Sequence, residues 1–327
     1  ERENIMSKLI EIAGHTFKLI GDPHIGRKFK TGVPVHRLGE RETSVKNQLY
    51  AEVASTDNTP VIVMGDLFDT YSIPDELTLW VSETLNEATQ WKEVYVLRGN
   101  HCVSRDAEKR GSFDVLERLC PKVVFVKGVW EIQLENGYLA LFGYDAFKSA
   151  TELANSLQQG ANYLTAFGHW DLTSHGSDFN LVPTEVFAEL KIPVAYTGHI
   201  HKAQTIERHG VTVHAVGSMQ PYAHGEQAEG DPRYQTLTLA DFNAADSESF
   251  KDVNLRILLK GDEIFDQQVD CLSLVFKHIA DDETEPLDVA YDSFDSDNIL
   301  TECLVGVSEG LTSWVKGRLT ELKMETT

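Results

Sequence analysis

The chain has 327 residues, 42% of them hydrophobic and 9% aromatic, which is long enough for one large domain and a smaller one and ordinary for a globular protein. No stretch approaches about 18 uninterrupted apolar residues, so no membrane span is expected; the four cysteines are scattered without a C-x-x-C pair, which argues against a zinc ribbon or a disulfide framework and suits a cytoplasmic protein. The net charge of −22 is awkward for a protein that handles nucleic acid, because phosphate binding draws on Lys and Arg. It is uneven: from Asp231 onward 21 acidic residues stand against 8 basic ones, a net of −13, leaving −9 for the first 230 residues.

In chain order, the first two-thirds repeat one grammar, a short apolar run followed by a tight loop rich in Gly, Asp or His. Thr16–Ile20 predicts a strand and runs into Gly21-Asp22-Pro23-His24. A basic loop follows, carrying Arg27, Lys28, Lys30, Arg37, Arg41 and Lys46. Val61–Met64 predicts the next strand and ends in Gly65-Asp66-Leu67-Phe68-Asp69. Pro74–Ala88 predicts a helix, with a proline suited to the first turn and Leu77, Trp80, Val81 and Leu85 on one face. Val94–Leu97 predicts a strand ending in Arg98-Gly99-Asn100-His101, and Ser112–Leu119 a shorter helix. Tyr138–Phe142 and Leu164–Phe167 are further strands, the latter entering Gly168-His169-Trp170. After a helix at Thr184–Leu190, the strand Val194–Tyr196 leads to Gly198-His199-Ile200-His201. Several runs are almost uniformly apolar, as strands buried on both faces should be, and the alternation with helices predicts α/β layers.

Beyond residue 240 the character changes. Asn243–Ser249 predicts a linker and Val253–Leu259 a strand, while Val269–Ile279 is ambiguous between helix and strand. Asp281–Asn298 is an acidic stretch and Leu311–Leu322 a closing helix. The expected organisation is therefore a catalytic domain over 1–242, a linker over 243–252 and a small α+β accessory domain over 253–327.

Five of the loops place Asp, His or Asn just past the C-terminal end of a predicted buried strand, where open α/β folds put their ligand sites. The donors are carboxylate, imidazole and amide with no thiolate, a set that suits Mn²⁺, Fe²⁺ or Zn²⁺ rather than Cu(I) or an iron–sulfur cluster. Each motif alone is weak, since Gly-Asp-x-x-Asp is also an ordinary turn and Gly-His-Trp an ordinary structural step. Gly-His-x-His says more, because residues two apart on a strand point to the same side. The ordered set of five carries the inference. No H-E-x-x-H or G-x-S-x-G is present. Gly21–Lys28 echoes a P-loop only superficially, with Arg27 at the lysine position and no Ser or Thr after it.

From Thr16 to His201 that order resembles the calcineurin-like metallophosphoesterase superfamily. The resemblance implies a four-layered sandwich, two β-sheets flanked by helices, and two divalent metal ions, Mn²⁺ first, with Mg²⁺, Fe²⁺ or Zn²⁺ as alternatives. It assigns Asp22, His24, Asp66 and His201 to one ion and Asp66, Asn100, His169 and His199 to the other, with Asp66 bridging. Two ions about 3.5–4 Å apart clamp the attacking and leaving oxygens of an in-line displacement. His101 is implied as the catalytic residue that steadies the transition state or protonates the leaving oxygen, and Asp69 as a carboxylate that orients a histidine or a loop.

Within the superfamily, protein phosphatases continue Gly-Asp-x-x-Asp with Arg-Gly; here Thr70-Tyr71 follows Asp69, although Arg98 does match their pattern before Gly-Asn-His. The nuclease subunits of SbcCD-type recombination and repair complexes are more similar, their bacteriophage members especially. The similarity lies in Asp22-Pro-His-Ile-Gly26, Gly65-Asp-Leu-Phe-Asp69, Gly168-His-Trp170, Val216-Gly-Ser-Met-Gln-Pro221 and Gly230-Asp-Pro-Arg233. It implies a DNA exonuclease on duplex ends and endonuclease on single strands, and an SMC-like coiled-coil ATPase as partner. It also implies a capping domain beyond the catalytic one and a homodimer through helices around 74–90 and 112–119, with Leu77, Trp80, Leu85, Phe113 and Leu116 as the apolar face. Arg27, Lys28, Lys30, Arg37 and Arg41 would form the DNA-contacting rim. The family commonly has Asp after Gly-Asn-His, where this chain has Cys102, most simply a small buried hydrophobe. The alternatives are a small-nucleotide phosphodiesterase, a protein phosphatase and, given the charge, an acidic DNA mimic or scaffold.

Overall fold

The computed structural model describes residues 8–279 apart from 105, 107, 108 and 175. The acidic stretch at 281–298 and the closing helix expected at 311–322 lie outside the described residues.

Two sheets face each other. The first has strands β1 (Lys8–Ile12), β2 (His15–Ile20), β3 (Val61–Val63), β4 (Val94–Leu97) and β5 (Val124–Val126), in that spatial order. The hairpin β1–β2 is antiparallel, and β2 to β5 run parallel. Every residue of β3 and β4 is buried, which is why these runs show no polar alternation. The second sheet holds β6 (Val129–Leu134), β7 (Gly137–Phe142), β8 (Tyr163–Gly168), β9 (Val194–Thr197), β10 (Gln204–Arg208) and β11 (Val211–Ala215), in the order β10-β11-β9-β8-β7-β6. Its centre, β7-β8-β9-β11, is parallel and its edge strands are antiparallel.

Three apolar clusters make the layers. Between the sheets, Phe17, Leu19, Ile62, Met64 and Leu97 meet Leu139, Leu141 and Phe167. On the outer face of the first sheet lie α1 (Glu40–Val53), α2 (Asp75–Ala88) and α3 (Ser112–Leu119), which bury Leu49, Leu85 and Phe113. On the outer face of the second, α4 (Ala150–Ala154) and α5 (Thr184–Glu189) bury Leu153 and Phe187 against Trp170. Helix, sheet, sheet, helix is the four-layered sandwich expected from the sequence. Each buried aliphatic side chain in these layers contributes roughly 1.5–3 kcal/mol.

A third sheet of three parallel strands, β12 (Tyr234–Thr238), β13 (Asn254–Lys260) and β14 (Ser273–Ile279), closes its own small core around Phe242, Phe250 and Leu255. It joins a strand on the N-terminal side of the expected boundary to two on the other side. The stretch 243–249, read as a linker, holds the end of α6 (Leu239–Ala244) and a 3₁₀ turn at Ser247–Phe250. The ambiguous run at 269–279 resolves as strand β14.

The largest departure from the sequence reading is α1. Glu40–Val53 is a helix where a basic loop was expected, so Arg41 and Lys46 sit on a helix. Its apolar stripe is only Val45, Leu49 and Val53, spaced by four, too narrow to stand out among its charges. The strands β1, β5, β6, β10 and β11 and the helix α4 also went unread. For α4 a signal existed, the capping box Ser149-x-x-Glu152.

Candidate metal centre

All five motif loops leave the C-terminal ends of parallel strands, β2, β3 and β4 from one sheet and β8 and β9 from the other, and they meet where the sheet edges converge. Backbone bonds tie them together: His24 N–H donates to Asp66 O (2.9 Å), Gly198 N–H to Gly168 O (3.0 Å) and Met64 N–H to Ile20 O (2.8 Å). The approach is close enough to require glycine. A Cβ on Gly65 would lie 2.0 Å from His169 Nδ1, and one on Gly99 2.1 Å from Asp66 Oδ1. Asp22, His24, Asp66 and His199 all have positive φ (34°, 46°, 39° and 71°), a conformation that costs energy in non-glycine residues and clusters at functional sites.

The imidazoles of His169, His199 and His201 share one arrangement, with one ring nitrogen donating to a carbonyl or carboxylate oxygen and the other turned toward the centre. His169 Nδ1 donates to Met64 O at 3.0 Å, which turns Nε2 inward, 2.9 Å from Asn100 Oδ1 and 3.2 Å from Asp66 Oδ2. His199 Nε2 donates to Asp171 Oδ1 at 2.8 Å, leaving Nδ1 3.1 Å from Asn100 Oδ1. His201 Nδ1 donates to Glu226 Oε1 at 3.2 Å, and His24 Nδ1 lies 3.3 Å from Asp69 Oδ1. That leaves His24 Nε2 and His201 Nε2 facing each other at 3.0 Å. Two ring nitrogens at that distance are bridged either by one shared proton or by a cation lying between them. About 3 Å is also the separation of neighbouring ligands around an octahedral ion with bonds of about 2.1 Å. The donor set and this inward-facing geometry fit divalent metal ions.

Two halves result. His24 and His201 stand on one side, His169, His199 and Asn100 on the other, with rings paired edge to face at 5.0 Å within each half. Asp66 lies between, its Oδ2 4.0 Å from His24 Nε2 and 3.2 Å from His169 Nε2. Among the described residues, the two metal-capable groups of acidic and imidazole side chains are His24, Asp66 and His101, and Asp66, His169 and His199. Asp22 is fully buried beside them, both its oxygens accepting His199 N–H at 3.0 Å, with Oδ1 3.4 Å from His169 Nδ1.

The electrostatics agree. Burial works against charge on His169, but the Asp66 and Asp22 carboxylates outweigh it and raise its pKa to about 9. Burial likewise opposes the Asp66 carboxylate, yet His169, His24 and His101 hold its pKa well below the usual range. Both shifts mark a cluster that draws positive charge. His101 stands at the mouth with its side chain 43% exposed, its Nδ1 donating to Asp69 O at 2.6 Å and its Nε2 3.9 Å from Asp66 Oδ2. Cys102 lies in the core behind, and burial raises its thiol pKa to about 12, which makes it a neutral hydrophobe.

The expected rim divides. Arg27 lies beside the centre, its guanidinium over the Tyr222 ring (4.9 Å) and 3.7 Å from Asp69 Oδ1. Lys28 and Lys30 are exposed on the same segment. Arg37 and Arg41, by contrast, hold the fold. The Arg37 side chain is only 8% exposed and binds Glu40, Asp252, Asp270 and Lys251 O. Arg41 stacks on Phe29 at 4.0 Å and donates to Tyr234 Oη and Pro221 O. Three residues that the sequence reading did not single out touch the ligand set: Asp171, Glu226 and Tyr222. Asp171 had a signal, two places past His169. Glu226 and Tyr222 follow the Val216–Pro221 motif, which carried no candidate ligand to draw attention to them.

The chain matches the family Calcineurin-like phosphoesterase over residues 15–203 and belongs to it. Its members use divalent metals, which the donor set here could hold. Among solved structures it is similar to a phosphopantetheinyl hydrolase from Mycobacterium tuberculosis, with 17% identity, a TM-score of 0.37, and coverage of 66% of this chain and 96% of that one. No curated protein matches the chain. Among the described residues no helix is long and apolar enough to cross a membrane.

Proposed function

We propose that this metallophosphoesterase is a DNA nuclease with a dinuclear metal centre, an exonuclease on duplex ends and an endonuclease on single strands. The observation that carries the choice of a diester substrate is the position of Arg98. Its guanidinium donates to Tyr144 O (2.7 Å) and Lys127 O (2.8 Å) and lies 3.5 Å from Asp145, so it locks the end of β4. At the second place where a phosphatase carries arginine, Thr70 donates to Ser72 O. A monoester brings a dianionic phosphate and leans on such cations, whereas a diester carries a single charge. Two divalent ions would supply the Lewis-acid charge that offsets the attacking and leaving oxygens of an in-line displacement. The protein's own parts then have distinct tasks. Asp66 stands between the two halves, and His101, its Nδ1–H held by the Asp69 carbonyl, would in its imidazolium form give the Nε2 proton to the leaving oxygen and be left as the neutral ring. Arg27, Lys28 and Lys30 offer phosphate contacts beside the centre.

The reading extends to an SMC-like ATPase partner and to a homodimer through α2 and α3. Leu85, Phe113 and Leu116, expected on the dimer face, are fully buried in the protein's own core, so the dimer is assigned instead to Leu79, Val115 and Leu119, which are exposed on the same helices. Metal-free protein resupplied with Mn²⁺ tests the activity on end-labelled linear DNA, circular single-stranded DNA, a phosphoserine peptide and bis-p-nitrophenyl phosphate. Cleavage of DNA with the peptide untouched is expected. Dephosphorylation of the peptide with DNA intact would overturn the reading. Hydrolysis of the small diester alone would move the substrate to a small nucleotide.

A further inference from the structure

The two halves of the centre are braced by different parts of the fold. The His24–His201 half leans on the segment 218–226. Tyr222 is almost fully buried, and its hydroxyl shares one proton between Asp22 O (2.9 Å) and Pro23 O (2.6 Å). It thereby clamps the turn in which Asp22 and His24 hold their left-handed backbone. Its ring stands edge-on to both imidazoles, 5.3 Å from His24 and 5.6 Å from His201. Four residues on, Glu226 uses one oxygen to hold His201 Nδ1 and the other to accept Tyr222 N–H (2.7 Å) and Ala223 N–H (3.3 Å). The segment is anchored at its start by Ser218 N–H to His201 O (3.0 Å) and by Gln48 of α1 to Met219 O (2.6 Å).

The His169–His199 half does not use that segment. Asp171 holds His199 Nε2 and is fixed through backbone bonds to residues 180–182: Asp171 N–H donates to Asn180 O and Val182 N–H to Asp171 O, each at 3.0 Å. Asp171 thus belongs to the layer of α4 and α5, and Tyr222 and Glu226 to the opposite side.

We propose that Tyr222 and Glu226 are positioning residues for one metal subsite and Asp171 for the other, so that each subsite is weakened separately. The inference rests on the dinuclear reading above. A carboxylate can only accept here, which forces the ring proton outward and the lone pair toward the ion. An amide in its place can present an N–H, which favours the opposite tautomer. Loss of such a partner typically lowers metal affinity about 10–100-fold.

The test titrates Mn²⁺ into metal-free full-length protein, followed by calorimetry and by electron paramagnetic resonance, which separates a coupled Mn²⁺ pair from an isolated ion. The unaltered protein should bind two ions as a coupled pair. Glu226→Gln, Tyr222→Phe and Asp171→Asn should each keep one tight site and lose the coupled signal. His201→Ala supplies the assignment: with that half disabled, adding Asp171→Asn should weaken the remaining ion by the same 10–100-fold, and adding Glu226→Gln should not. Tyr222→Phe keeps the ring and removes only the clamp, so it answers the question if Glu226→Gln folds poorly. Equal weakening of both sites by every variant, or of neither, overturns the inference. An unaltered protein that binds no Mn²⁺ pair overturns the dinuclear reading itself.

Discussion

At the scale of single residues, the proposed function separates groups that hold charge from one, His101, that would move a proton. His101 is exposed at the mouth and lies farther from Asp66 than His169 does. Its replacement by alanine is expected to lower turnover by about 10²–10⁴-fold while the Mn²⁺ content, measured by atomic emission, stays unchanged; a fully active His101→Ala enzyme would remove it from the chemistry. Asp66→Ala should lose both ions together in the same measurement. His224 makes a different prediction. Burial, with the Arg256 and Arg41 cations behind it, pushes its pKa down to about 4, and neither ring nitrogen has a hydrogen-bond partner. The folded state therefore keeps it neutral while the unfolded chain takes up a proton near pH 6.5. Its contribution to stability is complete above that pH and falls as pH drops toward 4, with a slope of up to about one proton. Urea titrations between those limits should show this slope, and His224→Phe should flatten it.

At the scale of elements, the segment between β2 and α1 does two jobs. In its first part Arg27, Lys28 and Lys30 stay toward the surface, whereas Arg37 and Arg41 are drawn into the fold. Neutralising Arg27, Lys28 and Lys30 together should weaken DNA binding, and the slope of log affinity against log salt should fall by about 0.9 for each phosphate left without its cation. Neutralising Lys122 and Lys191, which are exposed and outside this segment, serves as the control. An unchanged salt slope in the triple variant would remove the rim from DNA recognition.

At the scale of the whole molecule, the centre is a joint between the two sheets, since its residues come from the strand ends of both. Ions that bind only the folded state stabilise it by mass action, about 2.7 kcal/mol at a free concentration 100 times the dissociation constant. Saturating Mn²⁺ should therefore raise the melting temperature and EDTA should return it to the metal-free value. A melting temperature indifferent to Mn²⁺ would mean that the imidazoles and carboxylates are held by packing alone.

The uniform apolar runs of β3 and β4 and the periodic face of α2 were legible in the sequence because their burial is local and continuous. The ligand motifs were legible for the same reason, since each is a short loop fixed to the strand before it. Tertiary structure alone decided which charges were free. Arg37 and Arg41 read as surface cations until their partners at 251–252, 270, 221 and 234 were brought to them across the chain. Arg98, which matched a phosphatase in sequence, was assigned by carbonyls 29 and 46 residues away. Tyr222 and Glu226 became part of the centre only when a loop about 200 residues from Asp22 folded back over it. A side chain's type and its local spacing are properties of the sequence, but what it touches depends on how distant segments meet, which no local pattern encodes.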